Sequence, residues 1–450
     1  MEIIQADASP EKSLFLEMFI RDLSIEDCIL DLIDNSIDSF IRTRALDVSD
    51  ALLPIPGEQK EKIASTIPSE QGLIDIKYDS KSFHLVDTCG GISIEEAKNE
   101  VFRFGHRAEV PLGQLGVYGI GLKRAIFKMG NDITISSQTK QEGFRTHIDV
   151  PSWAKDRSWF IPLEPTQSSS NGSSAGTSIS ITQLRPEVAE RLKAGTFAKR
   201  LYDMIARTYC LFLDKYVKVS LNGHEVNPQP IPLGLSENAN IAKEVFQHED
   251  VTVTLYAALS ARDASGEWRA ADAGWYAACN GRLVVTADKT ELTGWGTGPV
   301  PMFVPKYRGF VGVAFFYSKN PFSLPWTTMK RGLNRESMVF QQARGRMANL
   351  ARPVLRFLAD MYATEETERE PQRRIAEKVQ LVDVRDLSAV PAAVFNPQKM
   401  PPIEHTIRVQ YDAKEGELQR IRKALHKSNW SAKSIGRFTF EHYLKTECPE

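Results

Sequence analysis

The sequence stretch that most constrains the fold is Asp31-Leu-Ile-Asp-Asn-Ser-Ile-Asp38. Positions four apart lie on one face of a helix, so Asp31 and Asn35 are expected to project side by side. A second face is apolar and carries Leu30, Ile33 and Ile37. Such a helix can anchor itself in a core by its apolar face while it presents a carboxylate and a carboxamide to a polar ligand.

The neighbouring carboxylate, Asp34, is expected to lie away from this polar face. Its spacing from Asp31 rotates it by roughly 60° about the helix axis, toward the side that carries Leu30 and Ile37. We therefore do not expect Asp34 to take over any chemistry from Asp31.

The composition is that of an ordinary globular protein. The chain has 450 residues, 42% hydrophobic and 25% charged, and a formal net charge of -1, which excludes a global basic field for nucleic acid or membranes. The five cysteines are scattered without CxxC spacing, which disfavours a disulfide framework or a zinc site. The first residues are acidic, and no apolar run reaches the roughly 18 residues of a membrane span. We expect a cytoplasmic protein that is not embedded in a membrane.

Strand and helix patterns predict an α+β fold with several domains. In the first domain we expect a helix from Ile25 to about Arg42, capped by Ser24, and a hairpin that brings Asp87 to a strand end. We place strands of the second domain near 217–221, 251–260, 274–279, 282–286 and 309–317. The predicted boundaries are 1–185 for the first domain, 186–363 for the second, 364–402 for a charged and Pro-containing linker, and 403–450 for a small helical module.

Four short motifs follow one another in the first domain: Asp31-x3-Asn35, Asp87-Thr-Cys-Gly-Gly91-Ile92, Gly116-Val-Tyr-Gly119-Ile-Gly121 and Gly176-Thr177. An amide oxygen on a helix suits Mg²⁺, and a strand-end carboxylate followed by glycines can accept from an exocyclic amine. A glycine-rich segment that opens a helix offers free N–H groups to phosphates. Taken singly, the motifs are equally typical of a solvated helix face, a hairpin exit, a mobile loop and a strand start. Their joint occurrence in this order is not explained by those readings.

In this order the motifs resemble those of the GHKL ATPases, which include gyrase B, the large heat-shock chaperone, histidine kinases, MutL and the MORC proteins. The resemblance spans about residues 14–350 and looks closest to the MORC-like and MutL-like members, because of the segment from Gly116 to Lys123. It implies a two-layer α/β sandwich that binds ATP, followed by a transducer-like (ribosomal S5-like) α/β domain. The histidine kinases are the less similar class, since a second domain follows the ATP motifs here.

The resemblance also implies roles for individual residues. By position, Asp31 polarises the attacking water, Asn35 holds Mg²⁺, Asp87 contacts adenine and Thr177 lies beside the base. The segment from Gly113 to Gly121 corresponds to a flexible lid over the triphosphate. The implied nucleotide contacts are completed by Gly91, Ile92, Gly113, Gly116, Val117, Tyr118, Gly119, Ile120, Gly121, Leu122 and Lys123.

The second domain is expected, by the same resemblance, to send a lysine to the terminal phosphate. The segment Pro325-Trp-Thr-Thr-Met-Lys330-Arg331-Gly332 contains the best candidate, Lys330, with Arg331 as its rival. Lys330 could equally be an ordinary loop lysine. The segment Cys279-Asn-Gly-Arg282 resembles a strand and turn of the MutL-type second domain.

Two positions depart from the family pattern. Most hydrolysing relatives carry Glu where this chain has Asp31, and the missing methylene shortens the reach by about 1.5 Å. Cys89 stands where the first glycine of the second motif is usual.

The resemblance and these departures leave two candidate functions. The first is a slow ATPase that uses Mg-ATP to close the lid and to form a homodimer, which clamps a macromolecule such as DNA. The second is a nucleotide-gated binding module with negligible hydrolysis.

Nucleotide preference and partners can be predicted as well. Asp87 accepts from the amine of adenine and repels the carbonyl oxygen of guanine, so ATP should bind better than GTP. Between 405 and 445 there are nine Lys/Arg and four Asp/Glu, together with aromatic residues. This module is expected to pack on a protein partner or on the body of this protein, and DNA binding is the alternative.

Overall fold

A computed structural model describes residues 11–44, 70–104, 115–116, 119–166, 175–362, 366–398 and 409–448. The octet lies on helix α2, Ile25–Thr43, which follows a short helix α1, Lys12–Ile20. Ser24 caps α2, because its hydroxyl accepts from the backbone N–H of Asp27 at 3.1 Å. The apolar side of α2 is fully buried, so the helix is fixed in the core as its sequence pattern predicts.

An eight-stranded mixed sheet carries the first domain, in the order β5-β4-β3-β6-β2-β1-β7-β8. Its strands are β1 Gly72–Tyr78, β2 Phe83–Asp87, β3 Gly130–Gln138, β4 Gly143–Asp149, β5 Glu164–Thr166, β6 Gly176–Leu184, β7 Val217–Leu221 and β8 His224–Glu225. The helices along this part of the chain are α3 Ile94–Glu96, which continues as a π-turn over Ala97–Val101, α4 Gly121–Met129, α5 Val150–Lys155, α6 Pro186–Lys193 and α7 Gly195–Thr208. The predicted hairpin is present, since β1 and β2 pair antiparallel with Ile74 opposite Asp87.

The second sheet has five strands, in the order β10-β11-β14-β12-β13. Its strands are β10 Ala242–His248, β11 Val251–Leu259, β12 Gly274–Cys279, β13 Arg282–Asp288 and β14 Phe310–Tyr317. The long helix α8, Met338–Asp360, packs against β11 and β14. Between β12 and β13 the predicted Asn-Gly turn is formed, with positive φ at Asn280 and Gly281.

The chain leaves the first sheet later than the sequence suggests. Strand β7, predicted for the second domain, pairs parallel with β1, so that Gly72 lies opposite Val217. The expected boundary at residue 185 therefore falls inside the stretch that builds the first sheet. The stretch that follows β6 forms two helices, α6 and α7, separated at Ala194.

The segment predicted to be a linker is packed in its described part. It forms helix α9, Glu366–Glu377, and strand β15, Gln380–Leu381, which pairs with β9, Gly234–Leu235. Its buried apolar side chains are Ile375, Ala376, Val379, Val384, Leu387 and Phe395. The linker prediction was wrong here, because apolar residues spaced along a charged, Pro-containing segment provide enough burial to fix it on the body.

Residues 401–450 form a compact unit of their own. In its described part, helices α10 Glu415–Ala424 and α11 Ala432–Glu447 contact each other, in keeping with the predicted helical module. No helix in the described part of the chain combines the length and the apolar character needed to cross a membrane.

Candidate functional site

The polar face of α2 meets the start of α4. A Cβ added to Gly121, the first residue of α4, would lie 3.2 Å from Cγ of Asp31. No side chain among the described residues caps the N-terminus of α4, so its first N–H groups are free to bind an anion. Asp31 and an uncapped helix start therefore share one site, as the first and third motifs predict.

Asn35 faces the same site with part of its carboxamide unbonded. Its Nδ2 is buried and finds no hydrogen-bond partner among the described residues. Its Oδ1 lies 3.8 Å from the position that a Cβ of Gly116 would take. A buried amide with an unsatisfied terminus is costly in an isolated protein, which fits a group that bonds to a ligand.

The carboxylate of Asp87 is held by three donors at the end of β2. Oδ1 accepts from the backbone N–H groups of Cys89 at 2.9 Å and Thr177 at 3.2 Å. Oδ2 accepts from the hydroxyl of Ser36 at 2.8 Å. Burial raises the pKa of Asp87 despite these donors. An ionised carboxylate offers about four acceptor sites, so one on Oδ2 is left for a ligand.

The second and fourth motifs come together beside Asp87. The hydroxyl of Thr177 lies 2.8 Å from that of Ser137, which also accepts from the N–H of Ile92 at 2.8 Å. Gly91 has φ +75°, and a Cβ there would lie 2.1 Å from the carbonyl oxygen of Gln138. Glycine is thus required at position 91 both by conformation and by space. Cys89, the departure from the family pattern, is buried and leaves this turn intact.

Asp38, the last residue of the octet, binds the start of the glycine-rich segment. Its Oδ1 accepts from the N–H of Leu115 at 2.7 Å and its Oδ2 from that of Gly116 at 2.6 Å. Burial raises the pKa of Asp38 to about 7. The predicted contacts Gly113, Val117 and Tyr118 lie outside the described residues.

The other predicted contacts of this segment are placed in different ways. Gly119 has φ +59°, and Ile120 is the N-cap residue of α4. Leu122 packs partly against the core. The side chain of Lys123 is fully buried, its ammonium donates to the carbonyl of Val101 at 2.6 Å, and burial lowers its pKa to about 8. The ammonium of Lys123 is therefore bonded to Val101, and at the helix start this residue can offer its backbone N–H.

Asp34 lies in a polar cluster and not against apolar residues, contrary to the expectation from the helix pattern. Its Oδ1 accepts from the hydroxyl of Tyr209 at 2.7 Å and from Nε of Arg282 at 2.9 Å, and its Oδ2 from Nζ of Lys330 at 2.7 Å. Burial alone would raise the pKa of Asp34, but the charges of Arg282 and Lys330 outweigh it and hold the pKa below its ordinary value.

Lys330 reaches the edge of the same site. Its Nζ lies 4.0 Å from Oδ1 of Asp31. Arg331, its rival in the sequence, instead pairs with Asp27 and donates to the hydroxyl of Ser24 at 2.8 Å, at the start of α2. Between these two residues, the geometry favours Lys330 as the cation that faces the site.

The environment of Asp31 suits a proton acceptor. Burial raises the pKa of Asp31, the charge of Lys330 counteracts this effect, and the charge of Asp34 adds to it. A carboxylate with a raised pKa is the stronger base.

Ser36, Asp38, Ser137 and Tyr209 were given no role by the sequence analysis. Ser36 and Asp38 lie in the octet itself and could have been noticed, since they share its polar side with Asn35. Tyr209 carries no local signal, because its contacts with the site are long-range, to Leu30 and Asp34 of α2 and to Arg282.

Residues 23–180, about a third of the chain, match the family model described as histidine kinase-, DNA gyrase B-, and HSP90-like ATPase. The match supports an ATP-binding domain of the GHKL superfamily in this segment, which contains all four motifs. A search of curated proteins finds no match to this chain.

Proposed function

We propose that this chain binds Mg-ATP in the site between α2, α4 and the end of β2, and that it hydrolyses ATP slowly. The observation that carries the proposal is the convergence of Asp31, Asn35, Asp87 and Thr177 with the uncapped start of α4. The family match over 23–180 supports the same assignment.

The residues present fit both parts of the ligand. Asp87 keeps one acceptor site for an exocyclic amine, and the start of α4 supplies N–H groups for phosphates. Asn35 would hold Mg²⁺, which neutralises phosphate charge when bound. Asp31 is the proposed base, because its partly buried carboxylate lies at the start of α4 and its pKa is raised. It would accept the proton of the water that attacks the terminal phosphate.

The proposed outcome of binding is a conformational switch. Asp38 already ties Leu115 and Gly116 to α2, so closure of the lid over a nucleotide would extend an existing attachment. We propose that the closed form associates into a homodimer and acts on a macromolecule, in the manner of the MORC-like and MutL-like proteins that the sequence resembles. DNA is the first client to test, since 405–445 carries nine Lys/Arg against four Asp/Glu.

Hydrolysis is tested with an Asp31→Asn variant. We expect turnover to fall by about 10²- to 10⁴-fold, the range for loss of a general base, while ADP affinity stays within about threefold. Asp27→Asn is the matched control, because Asp27 is a carboxylate one turn earlier on α2 that pairs with Arg331 outside the site. An unchanged rate in Asp31→Asn would remove Asp31 as the base.

A specific observation favours a second function, a nucleotide-gated binding module. The carboxylate at position 31 is one methylene shorter than the glutamate of most hydrolysing relatives. The two functions are separated by measuring turnover together with the mass in solution, with and without a non-hydrolysable ATP analogue. Dimerisation without turnover supports the gated module, and a monomer in both conditions contradicts the dimeric switch. Binding to DNA that weakens steeply with salt would identify that client.

A further inference from the structure

The cluster around Asp34 joins α2 to the second sheet. Its members come from three separate parts of the chain: Tyr209 follows α7, Arg282 opens β13, and Lys330 lies in the segment between β14 and α8. The side chains of Asp34 and Arg282 are 1% and 3% exposed. Burying such a group of charges is a poor way to gain stability, because the loss of hydration offsets most of the attraction. A role in positioning explains the cluster better.

The charges in the cluster are unequal. Within hydrogen-bonding distance, the one negative charge of Asp34 faces the two positive charges of Arg282 and Lys330, and Asp31 lies farther off, 4.0 Å from Nζ of Lys330. Arg282 and the hydroxyl of Tyr209 both bond to Oδ1, and Lys330 alone among the described residues bonds to Oδ2. Lys330 can therefore leave Asp34 without stranding a buried carboxylate, because Arg282 remains to neutralise it.

Arg282 also holds the backbone of Lys330. Its Nη1 donates to the carbonyl oxygen of Lys330 at 2.6 Å. Lys330 has φ +53°, a left-handed conformation that is strained for a residue with a side chain. The loop around it is closed by N–H bonds from Lys330 to Thr327 at 2.8 Å and from Thr327 to Gly332 at 3.0 Å. Arg282 thus holds both the carboxylate of Asp34, to which Lys330 binds, and the backbone of Lys330 itself.

We propose that Arg282 and Asp34 are positioning residues for Lys330, which they hold beside Asp31 until a terminal phosphate takes the place of Asp34 as its partner. This inference rests on the function proposed above. Because Nζ of Lys330 lies 4.0 Å from Asp31, the exchange needs a displacement of the ammonium and no rearrangement of the sheet. Since the cluster joins α2 to β13, arrival of the phosphate is passed on to the second sheet.

The test compares the affinities of a non-hydrolysable ATP analogue and of ADP, since only the former has a terminal phosphate. In Arg282→Met, Lys330 is the last cation on a buried carboxylate and should not leave it. We expect the ratio of the two affinities to fall about tenfold, the equivalent of losing one charge-assisted contact, with ADP affinity within about twofold. Turnover should fall in parallel.

A double variant keeps the test independent of stability. Asp34→Asn combined with Arg282→Met removes one charge of each sign and leaves Lys330 free to bind phosphate. We expect the affinity ratio to return to within about threefold of the parent, although Asp34→Asn alone loses stability by leaving two buried cations without their carboxylate. A purely structural role predicts no such recovery.

The matched control is Arg191→Met. Glu26 is another buried carboxylate of α2 held by two cations, Arg191 at 2.8 Å and Arg200 at 2.6 Å, but it lies outside the site. In Arg191→Met, the ratio of the affinities for the ATP analogue and for ADP should equal that of the parent. The inference is overturned if Arg282→Met keeps the parental ratio, or if the double variant is no better than Arg282→Met. A parent protein that binds neither nucleotide would instead contradict the proposed function.

Discussion

Replacing Asp87 by Asn tests the assignment of the base pocket through a change of one atom. Oδ1 can remain an acceptor for the N–H groups of Cys89 and Thr177, which lie at 2.9 and 3.2 Å. The new amide would replace Oδ2 and donate to the hydroxyl of Ser36. That hydroxyl can turn to the carbonyl of Leu32, which already lies 3.4 Å away. The protein side of the pocket therefore keeps its hydrogen bonds.

The ligand side of the pocket loses its acceptor. In the proposed complex of the parent protein, the remaining site on Oδ2 accepts from the amine of adenine, and in the variant that amine would meet an N–H donor. Loss of a bond to a charged group costs about 1.5–3 kcal/mol, and an unpaired donor adds about 1 kcal/mol. We expect ATP and ADP to bind about 30- to 1000-fold more weakly. GTP, with a carbonyl oxygen at this position, should lose much less, so the preference for ATP should largely disappear.

Titration calorimetry with ADP, ATP and GTP measures these changes, and thermal unfolding checks the fold. Burial raises the pKa of Asp87, so a neutral side chain should be tolerated there and the melting temperature should change little. Asp75→Asn is a suitable control. Asp75 lies in the same hairpin, and its partly exposed side chain pairs with Lys77. An ADP affinity within about threefold of the parent, with an unchanged preference for ATP over GTP, would refute the assignment of the pocket.

Two further predictions concern α4. Gly121→Ala should lower turnover about tenfold while ADP affinity and stability are retained. The reason is that the added Cβ would lie only 3.2 Å from Cγ of Asp31 and would displace its carboxylate. Equal turnover of the variant and the parent in steady-state assays would contradict this prediction. Lys123→Met should flatten the dependence of stability on pH. Burial lowers the pKa of Lys123 to about 8, so the folded state binds fewer protons than the unfolded state up to the ordinary value of 10.5. In the parent, the free energy of unfolding should therefore rise by about 3 kcal/mol between pH 8 and 10.5. The prediction is wrong if urea unfolding shows the same dependence on pH in the variant and in the parent.

Features encoded by neighbouring residues could be predicted from the sequence. The cap at Ser24, the hairpin that ends at Asp87 and the turn at Asn280 and Gly281 each depend on a few consecutive side chains and their backbone preferences. The grouping of Asp31 with Asn35 follows from helical pitch alone. These elements hold the nucleotide motifs, which is why the candidate site was recognisable before its geometry was known.

Features that depend on distant pairing could not be predicted in this way. Strand β7 was assigned to the second domain because its pattern does not specify a partner, and its parallel pairing with β1 joins Gly72 to Val217. The segment after residue 364 looked like a linker because its charges and prolines dominate the composition. Its backbone is nevertheless tied to the second sheet, where Lys243 and Ala393 exchange N–H bonds at 2.8 and 3.1 Å.

Asp34 shows most clearly where a helix pattern stops being informative. The rotation of about 60° from Asp31 was correct as geometry, but it says nothing of what packs against that side. The partners Tyr209, Arg282 and Lys330 are 175, 248 and 296 residues away in sequence. A buried carboxylate must be paired, so the identity of Asp34 is explained by its two cations, Arg282 on β13 of the second sheet and Lys330 in the segment between β14 and α8.

The surroundings of Asp31 in the structure also bear on whether its short side chain can serve as the base. Compared with the glutamate of most hydrolysing relatives, its short side chain suggested a base that falls short of its water. However, α4 begins at a glycine so close that an added Cβ would lie 3.3 Å from both Cβ and Oδ2 of Asp31. The start of α4, where the phosphates are expected to bind, therefore approaches α2 closely because Gly121 has no side chain. The lack of a side chain at Gly121 thus leaves room for the start of α4 beside a carboxylate as short as that of Asp31, so we expect Asp31 to reach a water bound at a phosphate there, and the turnover of Asp31→Asn tests this expectation.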